Sequence, residues 1–151
     1  MRSATSSGTV LTARILLVDD NRAGLSARRS VLEELGHQVT TATSAQEALE
    51  CFDKEPFDLV VTDYKMPRMN GAELIERVRK IKPALPVILL SGFAEPLGLN
   101  ESNTNADAVI QKSANEIAHL VRAVNRLLRK TSPKKPPTSH QTLLKAKRKT
   151  V

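Results

Sequence analysis

The chain has 151 residues, with 23 Lys and Arg against 16 Asp and Glu, three His, one Cys and no Trp. That length holds one domain of ordinary size plus a tail, not two full domains. A single Cys excludes an internal disulfide framework and a Cys-based zinc site, and His37, His119 and His140 lack metal-ligand spacing.

The formal charge of +7 is unevenly placed. All 16 acids fall between Asp19 and Glu116, whereas residues 131–151 carry six basic residues and no acid, which leaves 17 basic residues in 1–130. The globular part is nearly neutral and the basic character belongs to an appendage.

Residues 1–13, MRSATSSGTVLTA, read as a flexible segment without the apolar core of a secretory signal. No run approaches the roughly 18 apolar residues of a membrane span, so a cytoplasmic location without membrane partners is expected.

Five short apolar runs follow: Ile15–Val18, Val39–Ala42, Leu59–Val61, Val87–Leu90 and Val109–Ile110. The first, third and fourth are nearly continuous Val, Ile and Leu, which suits strands buried on both faces of a parallel sheet. Helical patterns lie between them. Leu25, Val31, Leu32 and Leu35 precede a stop at Gly36. Ser44 and Glu47 form a capping-box signature before Ala48, Leu49 and Phe52. Leu74, Ile75, Val78 and Ile81 lead to Pro83, with Arg77, Arg79, Lys80 and Lys82 read as a solvated face. A second capping-box signature, Ser113 and Glu116, precedes the stripe Ile117, Leu120, Val121, Val124, Leu127 and Leu128.

The weak unit is 95–107, EPLGLNESNTNAD, whose Pro, Gly and Asn content predicts a short helix or a mobile loop. Five βα units of this kind imply a doubly wound α/β domain over 14–130, with residues 131–151 a basic, Pro-containing disordered tail.

Ligands of such folds bind beyond the carboxyl ends of the strands. There the runs end in Asp19-Asp20, Asp63, Ser91-Gly92 and Lys112. Carboxylates that close repel one another unless a cation neutralises them. A hard divalent ion with oxygen ligands, Mg²⁺ above all, is the natural partner. Together with a hydroxyl (Ser91) and an ammonium (Lys112), the set suggests phosphoryl transfer to a carboxylate, with Asp63 as nucleophile.

The segments ILLVDD, DLVVTDYKMPRMNG, VILLSG and AVIQK resemble the receiver domain of two-component response regulators (the CheY-like family) over about residues 14–130. The resemblance implies a flavodoxin-like three-layer (βα)5 sandwich with a parallel five-stranded sheet of order 2-1-3-4-5. It implies that Asp63 is the phosphoacceptor and that Asp20 and Asp63 bind Mg²⁺ directly. Asp19 would act through water, the Lys65 backbone carbonyl would complete the set, and Ser91 and Lys112 would hold phosphoryl oxygens. Lys65 and Phe93 would border the path of the hydrolytic water. The donor would be a sensor histidine kinase or a phosphotransfer protein, with a downstream protein target and a dimer as one form the module could take. With about twenty residues after the last helix, a stand-alone receiver is expected, and nucleic acid could be touched only through the 131–151 tail.

Two positions depart from the family pattern. Val109 stands where an aromatic switch residue is usual, and Ser113 where Pro follows the Lys. The expected readout is therefore an ordering of residues 92–107. Competing readings fit less well. A haloacid-dehalogenase-type phosphatase needs a second Asp where Lys65 stands. P-loop and dinucleotide fingerprints are absent, and a flavin carrier would meet repelling acids. A pseudo-receiver used only for docking usually lacks one of the five site residues.

Overall fold

The computed structural model describes residues 12–92 and 98–131. Most of the N-terminal segment, Phe93 and the basic tail lie outside the described residues. Elements run in chain order as β1 (Arg14–Val18), α1 (Arg22–Glu34), β2 (Gln38–Ala42), α2 (Ala45–Lys54) and β3 (Leu59–Asp63). They continue as α3 (Gly71–Ile81), β4 (Val87–Ser91), α4 (Glu101–Thr104), β5 (Ala108–Gln111) and α5 (Glu116–Thr131).

The sheet is wholly parallel, with order β2-β1-β3-β4-β5, the order expected. β1, β3 and β4, the near-continuous apolar runs, are the three central strands, while the Thr-containing β2 lies at one edge and is largely half-buried. Side-chain alternation divides the core. Ile15, Leu17, Val61, Ile88 and Leu90 pack with Leu25, Leu32, Leu120 and Val124 on one face. Leu16, Val18, Val60 and Leu89 pack with Phe52, Leu74, Ile75 and Val78 on the other. Each such side chain removed from water contributes about 2 kcal/mol. Cys51 sits half-buried against the second face as a small apolar group, its thiol pushed up by burial and by neighbouring acids.

Leu35 and Ile81, expected on the apolar stripes, are 41% and 54% exposed: Leu35 is the C-cap of α1 and Ile81 the last residue of α3. Arg79 does not belong to a solvated face. Its guanidinium donates to the carbonyls of Asn105 (2.7 Å), Pro83 (3.2 Å) and Leu85 and pairs with Asp107 at 2.8 Å, pinning α3 to the start of β5.

Among the described residues of the weak fourth unit, 98–107, a short helix forms, one of the two outcomes its composition allows. Asn100 and Asn103 cap it reciprocally, and Asn105 ends it at a φ of 61°, a left-handed conformation that Asn tolerates.

His37 is buried, and its Nδ1 accepts a hydrogen bond from the Ala13 amide at 3.1 Å. The ring is thus held neutral, with burial depressing its pKa below 6.5. A depressed histidine makes the unfolded state the better proton binder, so its contribution is complete above 6.5 and is lost as pH falls through the folded value. We expect chemical denaturation at about pH 7.5 and about pH 5 to show a larger acid loss in wild type than in His37→Asn, whose side-chain oxygen can replace Nδ1 as acceptor.

Candidate functional site

Three strand ends build the site. β1 hands over to α1 through Asn21, whose side chain caps the helix by accepting from the Gly24 amide at 3.0 Å. The Asn21 amide in turn donates to Asp19 Oδ1 at 2.9 Å, so the same turn that starts the helix orients the acid. Asp19 is fully buried, whereas Asp20 beside it is exposed.

β3 ends on Asp63, which is 4% exposed. The loop beyond it doubles back at once. The Gly71 amide donates to the Tyr64 carbonyl at 2.7 Å, and Asn70 and Glu73 close a capping box on α3. Arg68 takes a left-handed φ of 72° within the turn, and Met66 is buried against the second core face. This closure requires glycine. A Cβ on Gly71 would lie 2.3 Å from the Asp63 carbonyl oxygen and 2.8 Å from Leu89 Cδ1.

Lys112 follows β5, tied by its amide to the Ser91 carbonyl at 3.0 Å. Its ammonium reaches Asp63 Oδ1 at 2.7 Å and Asp19 Oδ2 at 3.5 Å. Carboxylate oxygens of Asp19, Asp20 and Asp63 lie within 4.8 Å of one another. Burial pushes the Asp63 carboxyl above its usual range, opposed by Lys112 and reinforced by the Asp19 charge. Burial also acts to raise Asp19, but the Asn21 amide, Arg28 and Lys112 outweigh it and hold that acid low. Asp19 is therefore the settled anion, and Asp63 is the buried carboxylate held beside an ammonium.

Of the residues singled out from the sequence, Asp19, Asp20, Asp63 and Lys112 come together, and Lys65 lines the same cleft with Met66 and Gly92. Ser91 is buried at the end of β4, one residue past Leu90, the register partner of Asp63. The donor set, three carboxylates with hard oxygen ligands, fits a divalent cation of the Mg²⁺ kind.

One site residue, Arg28, is not marked by any motif in the sequence. Arg28, 5% exposed on α1, donates from Nη1 to Asp19 Oδ2 at 2.7 Å and from Nε to Glu116. The signal was present: Leu25, Arg28 and Leu32 are spaced at i, i+3 and i+7, which puts the arginine on the core face. The capping box expected of Ser113 and Glu116 does not form, because Glu116 turns instead to Arg28. Ser113 accepts from the Asn115 amide through Oγ at 3.3 Å. Ser44 does cap α2, yet Glu47 reaches back to the amide and hydroxyl of Thr43 rather than to Ser44.

The sequence pattern of the response regulator receiver domain matches residues 15–125. This chain belongs to that family. CpdR, a response regulator receiver protein of Brucella abortus, is 32% identical over 115 residues, covering 76% of this chain and 96% of CpdR. The gliding motility regulatory protein of Myxococcus xanthus is 32% identical over 130 residues, but the match covers only 17% of its length. Among solved structures, the response regulator TrrA of Thermotoga maritima in complex with Mg²⁺-BeF is 34% identical, with a TM-score of 0.69. It matches over 76% of this chain and 98% of TrrA. The chain is thus a CheY-like receiver of a two-component system, and among the described residues no helix is long and apolar enough to cross a membrane.

Because the loop after Asp63 closes through Gly71, Gly71→Ala should destabilise the domain by about 2 kcal/mol or more, measured by urea unfolding. A loss under about 0.5 kcal/mol would mean that the turn can open without cost.

Proposed function

We propose that this receiver takes a phosphoryl group from a phosphohistidine, on a sensor histidine kinase or phosphotransfer protein, onto Asp63. An Asp63 carboxylate oxygen attacks phosphorus, the P–N bond breaks, and the histidine nitrogen leaves with the electron pair. The observation that carries this reading is the buried Asp63 carboxylate with the Lys112 ammonium at 2.7 Å and two further carboxylates within 4.8 Å. Lys112 can move its ammonium from the carboxylate to the transferred group and neutralise charge there, with Ser91 as a second donor. Asp20, Asp63 and the Lys65 carbonyl would hold Mg²⁺, with Asp19 acting through water. When bound, that ion offsets the charge of the incoming phosphoryl oxygens. Water reaching the acyl phosphate past Lys65 would return the domain to its resting state.

The receiver unit is assigned to residues 14–130, with 1–13 and 131–151 as flanks outside its chemistry. The readout would run through residues 92–107, since α4 is tied to β5 by Glu101 Oε2, which accepts from the Val109 amide at 3.1 Å. Val109 is only half-buried and offers no aromatic ring to swing. Docking without phosphorylation, and contact of the basic tail with nucleic acid, are the competing readings.

Incubation with Mg²⁺ and a small phosphodonor, followed by intact mass, should add one phosphoryl group to wild type and none to Asp63→Asn. Asp20→Asn should need more Mg²⁺ for the same gain, while Lys112→Ala should retain Mg²⁺ binding. No gain in wild type would leave a docking module. Hydrogen exchange in residues 98–107 should slow when a phosphoryl analogue is added, and identical exchange would remove that segment from the readout.

A further inference from the structure

The second cation of the site has no part in the transfer described above. Arg28 projects from the core face of α1, is 5% exposed, and spans two acids: Asp19 Oδ2 through Nη1 and Glu116 through Nε. It fills a place in the Leu25–Leu32 stripe where an apolar side chain would satisfy the core on its own. A guanidinium taken out of water there is costly unless both forks are engaged, and the geometry engages both.

The consequence lies in the charge at the acid cluster. Asp19 and Asp63 share Lys112, and Asp19 also holds Arg28, whose Nε is engaged by Glu116. Glu116 therefore acts on the acid cluster through Arg28, dividing the guanidinium between itself and Asp19. Both oxygens of Asp19 are already taken, Oδ1 by the Asn21 amide and Oδ2 by Arg28 with Lys112 nearby.

Resting on the reading of this cluster as a Mg²⁺ site, we propose that Arg28 is a resident counter-cation that holds Asp19 in the metal-free protein and competes with the divalent ion, with Glu116 setting the strength of that competition. Arg28 is a positioning residue: it touches the acid that lies behind the site, and neither the phosphoryl group nor its acceptor. The metal-free domain then keeps its buried acids paired, and the divalent ion binds against a standing competitor. Removing Arg28 alone would strand Glu116, so the informative variants neutralise the acid first. In E116Q the guanidinium acts on Asp19 undivided and Mg²⁺ binding weakens. In R28M/E116Q the competitor is gone, the side-chain volume is largely retained, and Mg²⁺ binding becomes about tenfold tighter than in E116Q. A purely structural role for Arg28 predicts the reverse, since a loosened site binds metal less well.

The test is calorimetric titration of the full chain with Mg²⁺, on wild type, E116Q and R28M/E116Q, beside thermal melts with and without Mg²⁺. The expected result is affinity in the order R28M/E116Q above wild type above E116Q. The metal-free melting temperature of R28M/E116Q should fall and be restored by Mg²⁺ more than that of wild type. Equal or weaker affinity in a folded R28M/E116Q than in E116Q overturns the proposal. If R28M/E116Q does not fold even with Mg²⁺, E116Q decides: weaker binding than wild type supports the proposal and unchanged binding overturns it. Absence of Mg²⁺ binding in all three proteins removes the metal site itself and the proposal with it, whereas binding by wild type that no variant alters removes the proposal alone.

Discussion

Two buried carboxylates, Asp19 and Asp63, sit at adjacent strand ends, and much of the surrounding structure is arranged around neutralising them. Ionised carboxylates in a low-dielectric interior repel each other and lose their hydration, and neither cost is tolerable without counter-charge. Lys112 bridges both acids from the end of β5, and Arg28 reaches Asp19 from α1. The result is an asymmetric pair. Asp19 is held low, whereas burial raises the Asp63 carboxyl against the pull of the Lys112 ammonium. That asymmetry suits a site in which one acid must stay a fixed anion and the other must react.

The fold supplies this arrangement through its crossovers. In a parallel sheet all strands end on the same side, so residues far apart in sequence meet there without long loops. The same parallelism puts the helix starts beside the acids. Asn21 illustrates the economy, since its side chain caps α1 while its amide fixes the Asp19 carboxylate. Gly71 does the corresponding work after β3, allowing the chain to pass within contact of the Asp63 carbonyl and enter α3 directly. Substitutions at such positions act on the site through the backbone, not through any chemistry of their own.

The opposite edge of the domain shows looser construction. β5 is short, α4 is one turn, and Val109 is half-buried against the second core face. Beside the core contacts of Ala108 and Ile110, this edge is tied by polar links: Glu101 to the Val109 amide, and Arg79 to Asp107 and the Asn105 carbonyl.

Much of this was legible in the residues. Near-continuous Val, Ile and Leu runs marked the central strands, because only strands covered on both faces tolerate that composition. Acids and Lys at the ends of those runs marked the site, since parallel topology sends every strand end to one side. Composition also marked the fourth unit as a short helix or a loop, through Asn residues that cap and terminate more readily than they propagate. What the sequence left undecided were the partners of long polar side chains. The spacing of Arg28 puts it on the core face without naming a partner, and Arg79 lies in a basic run that patterns as a solvated face. Glu116 was given to a capping box that a stronger, charged partner overrides. Periodicity reports which face a residue occupies. Only the packed structure decides which charge lies within reach of a five- or six-atom side chain, because that depends on an element 88 residues away.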